Sequence, residues 1–278
     1  MFELNCKGRV LLVDKPLVMG VINVTSDSFY PGSRKTVSKE ILKTAEQMLK
    51  DGADLLDIGG QSTRPGSDQL PEEEELTRVV EPITEIHKNF PTAFISIDTF
   101  YSRVAKESIA AGACMVNDIS AGSIDKNLIP VTATLKVPYV LMHMQGIPKS
   151  MQKAPYYENV VQEVFDFFKR KLKTLKEAGI KDIIIDPGFG FGKTIEHNFE
   201  LLRSLKAFNE LNLPLMAGLS RKSFLYKSTG GTPEDALSGT IAMNTIALLN
   251  GAHILRVHDV KEARQTVQLF QAYEKKKG

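Results

Sequence analysis

Residues 182–194 read DIIIDPGFGFGKT. A β-branched run stops at the acid Asp186, a glycine-rich turn follows, and the stretch closes on Gly192-Lys193-Thr194. A strand, a glycine turn and a helix in that order make one βα unit, and the question is what the glycines serve. A phosphate loop needs glycine at the first position of GxxxxGK[ST]; Pro187 stands there and has no N–H to offer. A dinucleotide fingerprint needs GxGxxG, whereas Gly188, Gly190 and Gly192 alternate without the wider gap. The unit is not a nucleotide loop, and its meaning depends on its neighbours.

Similar apolar runs recur along the chain: LVMGVINV (17–24), LLDIGG (55–60), FISIDT (94–99), MVNDIS (115–120), YVLMHM (139–144), IIIDPG (183–188), PLMAGLS (214–220) and ILRVHD (254–259). Each is short and almost wholly apolar, as strands buried on both faces are. Between them lie stretches of helical periodicity, among them 38–51, 160–178, 235–249 and 260–273. Within 160–178 the apolar positions include Val164, Phe167, Phe168, Leu172 and Leu175. Eight strands each followed by a helix predict a single (β/α)8 TIM barrel, an α/β fold of about 250 residues with a parallel sheet. A doubly wound open sheet is the alternative, and the even spacing of eight units weighs against it. The opening segment FELNCKGRVLLVD reads as a short N-terminal hairpin that plugs the barrel bottom. With no linker or low-complexity tract, residues 1–278 are expected to form one domain.

Composition narrows the function classes. A net charge of +2 over 278 residues, 42% of them hydrophobic, gives no basic stripe for nucleic acid. No run approaches the roughly 20 apolar residues that span a bilayer, so no membrane partner is expected. Cys6 and Cys114 make neither a disulfide framework nor a metal spacing, which suits a reducing, cytoplasmic compartment.

The barrel makes a sharp demand, because active sites of this fold lie where strands end and loops begin. The C-terminal ends of the runs carry Asn23, Asp57, Asp98, Asn117, His143, Asp186, Ser220, Arg256 and His258. One buried Asx at a strand end is commonly a cap on the next loop. A ring of buried polar groups is costly unless it is paired, so it implies a ligand rich in donors and acceptors. Asp98, Asn117, Asp186 and Lys222 suit a flat heterocycle with an N–C–N edge that a carboxylate can grip through two parallel hydrogen bonds. Arg64, Arg256 and His258, with a neutral oxygen from Asn23, suit a phosphate or pyrophosphate with magnesium.

The segments GVINVTSDSF, GGQSTRPG, ISIDT, NDIS, LMHMQGIPKSMQ, DPGFGFGK, GLSRKS and RVHDV together resemble the dihydropteroate synthase family of folate biosynthesis, in the family's order over about 17–260. The resemblance implies a cytoplasmic transferase that condenses p-aminobenzoate with 6-hydroxymethyl-7,8-dihydropterin diphosphate, releasing pyrophosphate. It implies that Asp98, Asn117, Asp186 and Lys222 hold the pterin with Met142 and Phe191 nearby. Asn23, Arg64, Arg256 and His258 would hold the pyrophosphate, with Mg2+ at Asn23. Phe29, Thr63, Arg64, Pro65, Lys222 and Ser223 would shape the p-aminobenzoate site. Asn23, Asp98, Lys222 and Arg256 would carry the catalytic burden. A homodimer through C-terminal helices and action as a sulfonamide target are also implied.

Three departures stand out. Ser26 replaces the usual proline of NVTPDSF, YPGSR (30–34) replaces an xDGG-like segment, and Gln61 replaces the glutamate of GGESTRPG, which removes a negative charge beside the second loop. The rival readings are a methyltetrahydrofolate:corrinoid methyltransferase domain, a catalytically inactive pterin-binding relative, and a phosphosugar barrel enzyme, which the absence of an acid–base pair of the isomerase type weakens. The first would need no pyrophosphate cluster, so RVHD and SRKS argue against it.

Overall fold

The computed structural model describes residues 1–24, 34–61 and 67–275, without the side chains of 34–37. It opens with an antiparallel pair, β1 (Phe2–Cys6) and β2 (Arg9–Val13). Lys7 and Gly8 join them, both with positive φ (55° and 84°), the geometry of a tight two-residue hairpin turn.

Eight parallel strands follow: β3 (Leu17–Asn23), β4 (Leu55–Gly59), β5 (Phe94–Asp98), β6 (Met115–Asp118), β7 (Tyr139–Met142), β8 (Ile183–Asp186), β9 (Met216–Ala217) and β10 (Ile254–Val257). Their order is β8-β7-β6-β5-β4-β3-β10-β9. A parallel bridge from Ile185 to Leu215, with the Ile185 N–H donating to the Pro214 carbonyl at 2.9 Å, brings the two edges together into a barrel. Every expected strand is present. Each ends before its apolar run does, and the seventh shrinks to two residues, because the chain turns into the mouth loops.

Helices fill the crossovers: α1 (Arg34–Lys50), α2 (Glu72–Asn89), α3 (Ser102–Ala111), α4 (Leu128–Leu135), α5 (Val160–Glu177), α6 (Ile195–Arg203), α7 (Ser223–Ser228), α8 (Ala236–Leu249) and α9 (Val260–Glu274). In α5 the side chain of Asn159 caps the Gln162 N–H at 2.9 Å, and Val164, Phe168, Leu172 and Leu175 are buried on one stripe. The short α7 before α8 is an addition to the one-helix-per-strand expectation.

Strand alternation divides the side chains into two sets. Val18, Leu56, Ile58, Ile95, Ile97, Val116, Leu141, Ile183, Ile185, Leu255 and Val257 join the core between sheet and helices. The other set lines the barrel interior. Its lower part is apolar: Met19, Leu55, Met115, Val140, Ile184, Met216 and Ile254 cluster with Leu4, Cys6, Leu11 and Val13 of the hairpin. The hairpin therefore closes the barrel floor, as expected of the opening segment. Cys6 and Cys114, remote in sequence, meet in this floor as buried free thiols, and the contact between them pushes the Cys6 thiol up.

The candidate active site

Above the floor, the same inward-facing rows turn polar. Strand register sets Asn23 opposite Gly59, Gly59 opposite Asp98, and Asp98 opposite Asn117, so three polar side chains and a glycine share one level across β3 to β6. Asp57 sits two residues below Gly59 on the same face. Asp186 on β8 lies opposite Met142 on β7. A Cβ added to Gly59 would stand 3.4 Å from the Asp98 Cβ, and one on Gly218 would stand 3.8 Å from the Asp186 carboxylate. These two glycines leave space at the mouth where side chains would otherwise fill it.

The polar groups are wired together. The fully buried Asp57 accepts on Oδ2 from Asn117 Nδ2 at 2.9 Å and from Arg256 Nε at 2.7 Å. Arg256 donates a second bond to Asp98 Oδ2 at 2.6 Å. Burial, with Asp57 close by, pushes the Asp98 carboxyl up to about 7 against the pull of Arg256. Burial likewise raises Asp186, and Lys222 opposes it. The Oδ1 of Asp186 accepts the Gly188 N–H at 2.8 Å. Lys222 as a whole is half-buried, but its ammonium lies inside the mouth, 4.0 Å from where a Gly218 Cβ would stand. It donates to the Phe189 carbonyl and lies 4.5 Å from the centre of the Phe191 ring. Desolvation lowers this ammonium to about 8, with Asp186 acting in the opposite sense. Met142 and Phe191 are buried with Phe100, Ile119 and Met151 in a small apolar cluster.

Asp98, Asn117, Asp186, Lys222 and Arg256 thus converge, with Met142 and Phe191 beside them. Asn23 is exposed at the end of β3. His258 is exposed too, its N–H and its Nδ1 each 3.1 Å from Ser220 Oγ. Arg256 differs from expectation in its company, being bonded to Asp98 of the heterocycle group and to Asp57. Ser223 is the first residue of α7; Lys222 occupies the cap position, and no side-chain cap bond is made. Phe29, Thr63, Arg64 and Pro65, together with Ser26, lie outside the described residues.

Two other rim residues have different roles. His143 follows the inward-facing Met142, so alternation turns it outward, where it stacks edge-on against Phe167 at 4.8 Å. Asp118 binds the Tyr139 hydroxyl at 2.6 Å and the N–H groups of Ser120 and Gly122 at 2.7 Å each, the loop-capping use of a strand-end acid. Sequence reasoning noticed Asp57 without giving it a task and passed over Lys193. The signal for Asp57 was available, since it shares the face of Gly59 on β4.

Comparison with known proteins identifies the arrangement. Residues 19–258 match the family described as pterin binding enzyme. The dihydropteroate synthase of Escherichia coli (strain K12) is 41% identical over 272 residues, covering 97% of this chain and 96% of the relative. A Xanthomonas albilineans dihydropteroate synthase solved with 4-aminobenzoic acid superposes with a TM-score of 0.90 at 41% identity over 98% of each chain. The enzyme from that organism in complex with 7,8-dihydropteroate gives 0.86 at 37% identity over 98% of each chain. A polar barrel mouth built in the right order on the right strands and this extent of identity lead to one conclusion: the chain belongs to the dihydropteroate synthases of the pterin-binding enzyme family.

Proposed function

We propose that the barrel mouth binds 6-hydroxymethyl-7,8-dihydropterin diphosphate and p-aminobenzoate and joins them into 7,8-dihydropteroate with release of pyrophosphate. The observation that carries this reading is the convergence of Asp98, Asn117 and Asp186 around glycine-lined space, with Arg256 and Lys222 among them. A flat pterin has donors and acceptors along its edge, and buried carboxylates grip an N–C–N edge through charge-assisted pairs. Asp186 accepts from one side of that edge. Asp98 and Asn117 meet the other, and the ring stacks near Phe191 and Met142. Arg256, anchored by Asp57, has its second bond to Asp98; a pterin that takes over that oxygen frees the guanidinium to face the diphosphate.

In the reaction the methylene–oxygen bond to diphosphate breaks and the aniline nitrogen bonds to the methylene carbon. The proton lost by the amine leaves with the pyrophosphate. Electron release from the pterin nitrogens stabilises positive charge on the methylene, so no side chain need act as a nucleophile. Arg256 and His258, with Arg64 from the second loop, stabilise charge on the departing group. Asn23 would hold Mg2+. A single neutral oxygen beside a diphosphate suits this ion, which takes few protein ligands and relies on substrate oxygens and water. When bound, the ion neutralises charge on the leaving group. Ser223 and the backbone at the start of α7 receive the p-aminobenzoate carboxylate, with Phe29, Thr63 and Pro65 completing that site. A sulfonamide, which copies the aniline and its para substituent, competes there.

We further propose a cytoplasmic homodimer of single-domain subunits. The unbridged thiols support the compartment. Among the described residues, no helix is long and apolar enough to cross a membrane. For the dimer, α8 turns Ile241, Ile246 and Leu249 outward, and α9 exposes Leu269 and Tyr273 at 72% and 75%. The decisive experiment supplies the two substrates together and singly, reads pyrophosphate, and identifies 7,8-dihydropteroate by mass. Pyrophosphate release without p-aminobenzoate, or no product with both substrates, would refute the reading.

A further inference from the structure

The lysine of GFGFGK does not reach outward as the lysine of a phosphate loop does. Lys193 is 3% exposed, and its ammonium is caged by the Gly188 carbonyl at 3.0 Å, the Phe191 carbonyl at 3.1 Å and His143 Nδ1 at 3.0 Å, with the His143 carbonyl at 3.4 Å. The three alternating glycines make the cage. Gly188, Gly190 and Gly192 have φ of 70°, 80° and 64°, which curl the turn around the amine. A Cβ on Gly188 would stand 1.9 Å from the His143 carbonyl oxygen, and one on Gly192 would stand 2.4 Å from that of Gln145. The turn's N–H groups are engaged with protein acceptors: Gly188 with Asp186, Gly190 with Asn198 at 2.7 Å, and Phe191 with the Gly188 carbonyl at 3.1 Å. The motif is a cradle for its own cation.

We propose that Lys193 is a positioning residue for the pterin site, holding the 188–192 turn so that Gly188 orients the Asp186 carboxylate and Phe191 lies beside Lys222. The link to the ligand is short: Lys193 Nζ binds the Gly188 carbonyl, and the Gly188 N–H binds Asp186 Oδ1. An ammonium has three N–H donors and no acceptor. It meets two carbonyls and one imidazole nitrogen at 3.0–3.1 Å, so the cage fits the charged form. Burial pushes this lysine down to about 7, and Asp186 pulls the other way. Burial and the neighbouring Lys193 push His143 down to about 2, leaving a neutral ring whose Nδ1 accepts. Behind Asp186, the buried cation also supplies charge that Lys222 provides from the open side.

The inference rests on the pterin reading, and the test separates the two. Calorimetry with 6-hydroxymethyl-7,8-dihydropterin on the wild-type protein comes first; no binding there would sink the pterin reading itself. Lys193→Met keeps the bulk and removes the donors. It should weaken pterin binding at least tenfold in folded protein while leaving the KM for p-aminobenzoate within twofold. Lys193→Arg should not restore binding, because a planar guanidinium cannot meet acceptors arranged around a point charge. The 15N resonance of His143 Nδ1 should shift toward that of a nitrogen without a donor in Lys193→Met. Should that variant fail to fold, His143→Ala removes one acceptor and should weaken the pterin about threefold. Wild-type pterin affinity in a folded Lys193→Met or His143→Ala protein would overturn the inference.

Discussion

Asp186 is the residue on which pterin binding should depend most. It ends β8 as a 5% exposed side chain with one oxygen already committed to Gly188. Asp186→Asn replaces an acceptor with a donor that faces another donor. Losing a charge-assisted bond and leaving a buried group unmatched should cost roughly 2–4 kcal/mol of pterin binding. Calorimetry on the folded variant checks this, and unchanged affinity would remove Asp186 from the site. Ser223 presents the opposite case. Cap loss costs about 1 kcal/mol of stability, but Ser223 is the first helical residue and not the cap. Ser223→Ala should therefore leave the melting temperature unchanged and raise the KM for p-aminobenzoate about tenfold, equivalent to ~1.4 kcal/mol. A lower melting temperature with an unaltered KM would reverse the assignment.

At the level of the element, α2 carries a titratable group that bears on the second loop. Glu75 is fully buried, and its Oε2 accepts from Gln61 Nε2 at 2.7 Å. The same Gln61 carboxamide binds the Leu70 carbonyl at 3.2 Å and the Leu70 N–H at 3.0 Å, tying together the residues that flank the loop. An ionised glutamate at position 61 would have no donor for the Leu70 carbonyl or the Glu75 carboxylate, so the Gln61 amide supplies two bonds that a carboxylate could not. Burial pushes Glu75 from 4.5 up to about 7, against weaker pulls from Thr99, Gln61 and Arg78. A raised carboxyl contributes stability that is full below pH 4.5 and is lost as pH rises through 7. Glu75→Gln should remove that dependence, so the variant should gain on wild type by about 2–3 kcal/mol between pH 5 and pH 8. Melting curves at the two pH values measure it. Parallel losses in both proteins would mean that Glu75 is ionised throughout.

For the molecule as a whole, the proposed dimer draws on the exposed apolar residues of α8 and α9. Ala236, Thr240, Asn244, Ala247 and Leu248 of α8 are buried, while Ile241, Ile246 and Leu249 face out, a larger aliphatic share than an exposed helix face ordinarily carries. Exposed patches of this kind mark contact sites. Leu249→Glu combined with Leu269→Glu should yield a monomer in sedimentation velocity with a folded circular-dichroism spectrum. A dimer that survives both charges would place the interface elsewhere.

The sequence by itself determined the barrel, because eight apolar runs separated by helical periods admit few other parallel arrangements. It also determined the rim, because polar residues that end such runs must face the mouth or cap a loop. Which of the two each one does was decided by tertiary structure. His143 and Asp118 are polar strand-end residues like Asp98 and Asn117, yet alternation turns one pair outward and the other pair inward. The Asp57–Arg256–Asp98 network joins residues separated by 199 and 158 positions, and only the long-range pairing of β10 with β3 brings Arg256 within reach of β4 and β5. The glycines of residues 182–194 were visible from the start as a turn that is not a nucleotide loop. That they wrap a lysine became evident only in the folded chain, because positive φ at alternate residues and the carbonyl of His143, fifty positions away, together make the cage.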